Sequence, residues 1–183
     1  LRGRDGENGE EIRDALRLWN VLIKSAWTSA EPGIVWLERY NNESNSWYFH
    51  EIVATNPCGE QGLPPFGVCN LGHFVLPRFF NEQKNDVDWK DLERAIRIAV
   101  RLQDNIIDYT DYFLEENADV QLSERRVGIG SLGLGTLLIR MGLRYGSDEG
   151  NEFVDYLYKF IAQIAYDASM DLAKEKGSFP QFD

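Results

Sequence analysis

Asn56, Cys58 and Glu60 set an amide, a thiol and a carboxylate at alternate positions of one short stretch, Ala54-Thr55-Asn56-Pro57-Cys58-Gly59-Glu60-Gln61. If the backbone is extended there, side chains alternate faces, and these three share one surface while Pro57 and Gly59 point away. Pro57 removes a backbone donor and Gly59 permits unusual dihedrals, so the segment reads as a shaped loop at a strand end. The second cysteine, Cys69, follows in Val68-Cys69-Asn70-Leu71-Gly72. Spacing alone leaves a plainer alternative open, in which both cysteines are small buried apolar residues.

Two cysteines in 183 residues are no disulfide framework; in a reducing compartment they are thiols, or a pair that cycles between thiol and disulfide. A zinc site wants about four ligands, and the only histidines are His50 and His73, so no metal is expected. A net charge of −11 and a pI near 4.7 argue against a nucleic-acid partner, which clustered Lys and Arg would hold. A single nucleotide can still bind through a few local donors. The sequence has no apolar run of about 18 residues, and its start lacks a signal-peptide pattern. A cytoplasmic protein without membrane contact is therefore expected, and the first residue, Leu1, points to a piece of a longer chain.

The elements that position these residues follow from periodicity. One domain's worth of chain, residues 1–183, divides into a frayed 1–9, a helix with short strands and the cysteine loop over 10–80, and a continuous helical layer over 81–183. Apolar residues at three- and four-residue spacing mark an amphipathic helix from Glu10 to Ser29, stopped by Glu31-Pro32-Gly33. Ile34 to Leu37 reads as a short strand or a turn, Asn41 to Ser46 as a loop, and Trp47 to Thr55 as the strand that delivers the chain to Asn56. Gln61 to Gly67 is expected to be loop, with a short extended piece before Pro77. Asp88 caps a helix whose face carries Leu92, Ala95, Ile96, Ala99, Leu102, Ile106 and Tyr109. Asp104 and Asp108, four apart, read as a solvated or capping pair, and Asp111 to Asp119 as a solvated acidic loop.

Gly128-x-Gly130-x-x-Gly133 has dinucleotide-fingerprint spacing, but no convincing strand precedes it and no βαβ unit follows, so it reads as closely packed helix. Gly142 ends that helix. Ser147-Asp148-Glu149 opens the last one, with Phe153, Leu157, Phe160, Ile161, Ile164, Ala165, Ala168 and Leu172 on its apolar stripe and Gly177 at its end.

Several of these words occur together in one family. Asn56-Pro57-Cys58-Gly59-Glu60-Gln61 with Val68-Cys69-Asn70-Leu71-Gly72 resembles the active-site loop of the ribonucleotide reductase catalytic subunit, most of all its adenosylcobalamin-dependent class. Ser25-Ala26-Trp27, Glu31-Pro32-Gly33-Ile34, Asp104-Asn105-Ile106-Ile107-Asp108, Arg125-Arg126-Val127-Gly128-Ile129-Gly130, Tyr145-Gly146-Ser147 and Ala173-Lys174-Glu175-Lys176-Gly177 extend the resemblance over nearly the whole chain. It departs at Gly133-Leu134-Gly135-Thr136, where the family usually has Gly-Leu-Ala-Asp, and at His73, where serine is common.

The resemblance implies a helix-rich α/β fold that is part of a ten-stranded α/β barrel, with unsatisfied strand edges. It implies an oxidoreductase that makes deoxyribonucleotides for DNA synthesis by thiyl-radical chemistry, with a disulfide as acceptor. In it Cys58 carries the radical, Glu60 is the general base, Asn56 binds substrate and Cys69 is half of the redox pair. The cofactor implied is adenosylcobalamin, not bound by this segment alone; no cofactor-binding residue is identified. The partners implied are a ribonucleotide, the remainder of the catalytic subunit and, as one option, a second copy. The second redox cysteine and the Ser/Thr-rich phosphate segment are not among these residues, so the isolated chain is expected to be inactive. The alternative is a non-catalytic module that keeps the fold and binds other chains.

Overall fold

A computed structural model describes residues 9–182. Of the stretch 1–9 expected to fray, residues 1–8 lie outside the described residues and Gly9 opens the first helix, α1 (Gly9–Ser29). This is the helix expected from the apolar spacing, but its Leu16, Trp19, Ile23 and Trp27 side chains face solvent. The second helix, α2 (Leu37–Glu43), takes in Asn41, where a loop was expected. Asn41 gives the reason: its Nδ2 donates to the Leu37 and Ile52 carbonyls, and its Oδ1 accepts from the Ile52 N–H at 2.8 Å.

Those bonds also explain why the expected strand over Trp47–Thr55 shrinks to β1 (Ala54–Thr55). Trp47 to Phe49 form turns instead, and the Ile52 backbone finds its partner in a side chain rather than in a ladder. β1 pairs antiparallel with β2 (Gly62–Leu63), in a stretch expected to be all loop. The extended piece before Pro77 is β3 (Asn70–Val75), followed by a 3₁₀ turn, Leu76–Phe79. A small hairpin, β4 (Phe80–Asn81) with β5 (Asp86–Val87), leads to α3 (Trp89–Tyr109). As expected, Asp88 caps α3 and its side chain accepts from the Asp91 N–H.

Residues 81–183 are not a continuous helical layer. After α4 (Glu115–Glu124), which turns the second half of the expected acidic loop into helix, comes the strand β6 (Val127–Leu132). It pairs in parallel with β3, Asn70 opposite Val127 through Val75 opposite Leu132. The glycines expected inside a helix therefore belong to a strand, and their spacing has a cross-strand cause. A Cβ on Gly128 would lie 2.4 Å from Leu71 Cδ2, and one on Gly130 would lie 2.5 Å from the His73 ring. Gly128 and Gly130 of β6 lack side chains where Leu71 and His73, their partners on β3, fill the shared face. Gly133, at φ +78°, then turns the chain into α5 (Leu134–Met141), which Gly142 ends.

The core forms where α3 meets both the β3–β6 pair and the last helix, α6 (Asp148–Lys176). Leu92, Ile96 and Val100 of α3 are buried with Leu157, Ile161, Ala168 and Leu172 of α6, and with Phe74, Leu76, Val87 and Leu137. Phe153, Phe160, Ile164 and Ala165 pack against this cluster, so the α6 stripe is core along its length. The α3 face is rotated from the expected one: Leu92, Ile96, Val100, Gln103 and Ile107 are inward, and Leu102, Ile106 and Tyr109 are exposed. A strict 3.6-residue period carries the inner stripe to Gln103, a polar side chain whose Nε2 donates to the Gly128 carbonyl at 2.6 Å.

The rotated face is open to a direct check. Leu92→Ala should lower the stability of the chain by about 2–5 kcal/mol, the range for a leucine deleted from a filled core. Leu102→Ala should change it by no more than about 0.5 kcal/mol. Urea denaturation midpoints of the two variants would reveal an error in the helix orientation if they moved by similar amounts.

Candidate active site

The loop between β1 and β2 is closed by three backbone-directed bonds. Asn56 N–H donates to the Gln61 carbonyl at 3.1 Å, Gly59 N–H to the Asn56 carbonyl at 3.0 Å, and Gln61 N–H to Asn56 Oδ1 at 3.0 Å. The segment Asn56–Glu60 is thus a hairpin turn, with Gly59 at φ +83°, and not the extended run in which alternation would align its side chains. Residues 54–55 and 62–63 pair, so the six residues between must reverse direction, which an extended backbone cannot do.

The turn still brings two of the three side chains together, by direct contact. The Gln61 N–H holds Asn56 Oδ1, which leaves Asn56 Nδ2 to donate to Glu60 Oε1. Because Nδ2 is a donor, it keeps the Glu60 carboxylate in its accepting role. Cys58 lies between them in the turn as an exposed free thiol. The Gly62 N–H at the far side of the turn donates to Tyr40 Oη at 3.0 Å, tying the hairpin to α2.

Cys69, also a free thiol, sits half-buried at the entrance to β3. Burial pushes its thiol up, the Arg126 guanidinium pulls it down, and the Glu124 and Glu60 carboxylates push it up again. Glu60, in the turn that carries Cys58, therefore also acts electrostatically on Cys69. Beside Cys69 stands a buried ionic group that sequence reasoning missed. Glu124, its side chain only 1% exposed, accepts from His50 Nδ1 and from Arg126 Nε and Nη2, each at 2.9 Å. Together with Asn45, Ser46, Phe49 and Gln61, Glu124 and Arg126 line a cavity of about 460 Å³. The sequence signal was slight, an acid directly before two arginines at the start of a glycine-rich strand.

Of the pair expected to be solvated or capping, Asp108 is exposed and Asp104 largely covered, and both are ion-paired. Arg125 Nε donates to Asp104 Oδ1 at 2.8 Å, its Nη1 and Nη2 grip Asp108, and Lys176 Nζ donates to Asp104 Oδ2 at 2.6 Å. This cluster joins α3, the start of β6 and the end of α6. Among the described residues no group of His, Cys, Asp or Glu is arranged to hold a metal, and no helix is long and apolar enough to cross a membrane.

A family model described as ribonucleotide reductase, barrel domain, matches residues 4–183. The chain belongs to the ribonucleotide reductase barrel-domain family. It is 37% identical over 168 residues to a vitamin B12-dependent ribonucleoside-diphosphate reductase of Mycobacterium tuberculosis, covering 92% of this chain and 24% of that protein. A protein of the same name from Thermoplasma acidophilum is 33% identical over 166 residues, 91% of this chain and 22% of that one. A ribonucleoside-diphosphate reductase subunit alpha from Chlamydia pneumoniae is 31% identical over 169 residues. The chain thus spans about a quarter or less of the length of these relatives. A helix-rich α/β segment of the barrel domain is what the structure contains; among the described residues its strands form three two-stranded sheets and no closed barrel.

The acidic cluster carries a pH dependence. Burial by itself would raise the Asp104 carboxyl, but hydrogen bonds from Arg125 and Lys176 outweigh it and hold the group below the usual carboxylate range. Hydrogen bonding from Arg125 lowers Asp108 in the same way. A lowered folded value gives stability that is present above the ordinary carboxylate range and is lost as pH falls through the lowered value. Asp104→Asn should therefore flatten the acid limb of the stability curve below about pH 4. Thermal midpoints measured between neutral and acid pH would count against the cluster if wild type and variant fell in parallel.

Proposed function

We propose that this chain supplies the radical-bearing part of a ribonucleotide reductase, which converts ribonucleotides to deoxyribonucleotides. The observation that carries the reading is the Asn56–Glu60 contact beside the exposed Cys58 thiol, in a chain whose relatives are named reductases. Those names favour the enzyme over a non-catalytic binding module.

In this reading Cys58, as a thiyl radical, takes the 3′-hydrogen of the ribose, which makes loss of the 2′-hydroxyl feasible. Glu60 accepts the 3′-hydroxyl proton. Its carboxylate is held ready by Asn56 Nδ2, and a base must lie within hydrogen-bond reach of the proton it takes. Asn56 has a second N–H on the same nitrogen with which to bind the substrate. Cys69 is one thiol of the pair that supplies two electrons and ends as a disulfide. Three thiols are needed and two are present, so the third comes from the remainder of the catalytic subunit.

Adenosylcobalamin is the cofactor that the names of the relatives favour. The described residues do not fit it by themselves: the cavity beside Arg126, about 460 Å³, is of a size for a drug-sized ligand and too small for a corrin with its nucleotide tail. The open edges of β3 and β6 are where further strands of a ten-stranded barrel would pair, enclosing the exposed Cys58 loop. The functional setting is cytoplasmic deoxynucleotide supply for DNA synthesis.

The base role is tested in a chain completed with the remaining segments of a relative. Glu60→Gln keeps the shape and the contact to Asn56 but cannot take a proton. Deoxynucleotide formation should fall by about 10²–10⁴-fold while ribonucleotide affinity changes little. Turnover within a few-fold of wild type would remove Glu60 from the mechanism.

A further inference from the structure

Glu124 is a fully used carboxylate: His50 Nδ1 and the Nε and Nη2 of Arg126 all bond to it at 2.9 Å. A bidentate carboxylate fixes the plane of a guanidinium as well as its position, so Arg126 cannot swing towards solvent without leaving a buried charge unpaired. The β3–β6 register places Asn70 opposite Val127, and Cys69 and Arg126 immediately precede these two residues, at the mouth of the ladder. Gly128 shows on which side the sulfur lies, since a Cβ there would stand 2.9 Å from Cys69 Sγ. The sulfur is therefore turned towards β6, the strand that Arg126 leads into.

We infer that Arg126, held rigid by Glu124 and His50, is a positioning residue for Cys69 that stabilises the sulfur as it is released from the disulfide of the redox pair. The inference rests on the proposed redox role of Cys69. In the exchange that restores the pair, the thiolate of an incoming dithiol bonds to the other sulfur of the disulfide, and the S–S bond breaks so that the Cys69 sulfur leaves as a thiolate. The incoming sulfur is oxidised and Cys69 reduced, and a sulfur whose thiolate is favoured leaves faster. The groups facing Cys69 oppose one another. Burial disfavours the thiolate most, Arg126 favours it, and Glu124 and Glu60 disfavour it. Arg126 is the favourable charge in that set, and its own guanidinium is kept charged against burial by the bond to Glu124. Cys58, exposed in its turn, serves as an internal control.

The experiment is iodoacetamide alkylation of the 183-residue chain across a range of pH, with the two cysteines quantified separately after cleavage at Glu60. In Arg126→Gln the alkylation rate of Cys69 near neutral pH should fall about three- to tenfold, its pH profile moving upward, while Cys58 is unaffected. Arg126→Lys, which keeps the charge, should stay within about twofold of wild type. If Arg126→Gln does not fold, Glu124→Gln with Arg126→Gln leaves no buried charge unpaired and should still move Cys69 upward, by less. An unchanged Cys69 profile, or an equal fall at both cysteines, overturns the assignment. Treatment of wild type with oxidised glutathione separates the two claims: a Cys69 that depends on Arg126 for alkylation yet forms no mixed disulfide overturns its redox role and leaves the Arg126 assignment standing.

Discussion

Parallel pairing of β3 with β6 is the constraint on which the rest depends. The two strands lie more than fifty residues apart in sequence, and bringing them side by side requires the crossover through α3 and α4. It also requires Gly128 and Gly130, because any side chain there would collide with Leu71, Cys69 or His73. Once the pair is made, Cys69 and Arg126 come to the same end of the ladder, and α3 has a surface to lie on while α6 covers it. The cost of closing so long a connection is met by the apolar contact of α3 with α6 and the strand pair.

Around that pair the charges are sorted by depth. Glu124, buried, is matched by His50 and Arg126 and borders the cysteine region. Asp104, partly buried, is matched by Arg125 and Lys176 and pins the ends of α3 and α6 to the start of β6. Arg97 with Asp171 and Arg101 with Glu175 bridge the same helices at the surface, where such pairs add little. Adjacent arginines thus do different work: Arg125 pairs with Asp104 and Asp108 of α3, and Arg126 pairs with the buried Glu124.

How much of this was legible in the sequence follows the range of the interactions. α1, α3 and α6 were readable because their stripes and caps are local, and Asp88 and Ser147 cap where their types predict. β6 was misread because a Gly-x-Gly run has no strand propensity of its own; its reason lies on β3. The strand into Asn56 was overestimated because the Asn41 side chain takes the place of a ladder partner. At the site, the residue types of Asn56, Cys58 and Glu60 were readable and their geometry was not. Asn56 and Glu60 meet through a turn closed by Gln61 rather than by strand alternation. The pairing of Glu124 with His50, seventy-four residues apart, carries no local signal, since a contact of that range becomes visible only once the chain is folded.

The chain leaves α1 and the outer edges of β3 and β6 uncovered, which is in keeping with a segment that spans about a quarter of its relatives. The central claim concerns Cys58, and the most direct measurement is deoxynucleotide formation by a chain completed with the remaining segments of a relative and carrying Cys58→Ser. The account predicts ribonucleotide binding close to wild type and no product above background, because a serine hydroxyl cannot stand in for the sulfur radical. Product formed at a rate comparable to wild type would contradict it.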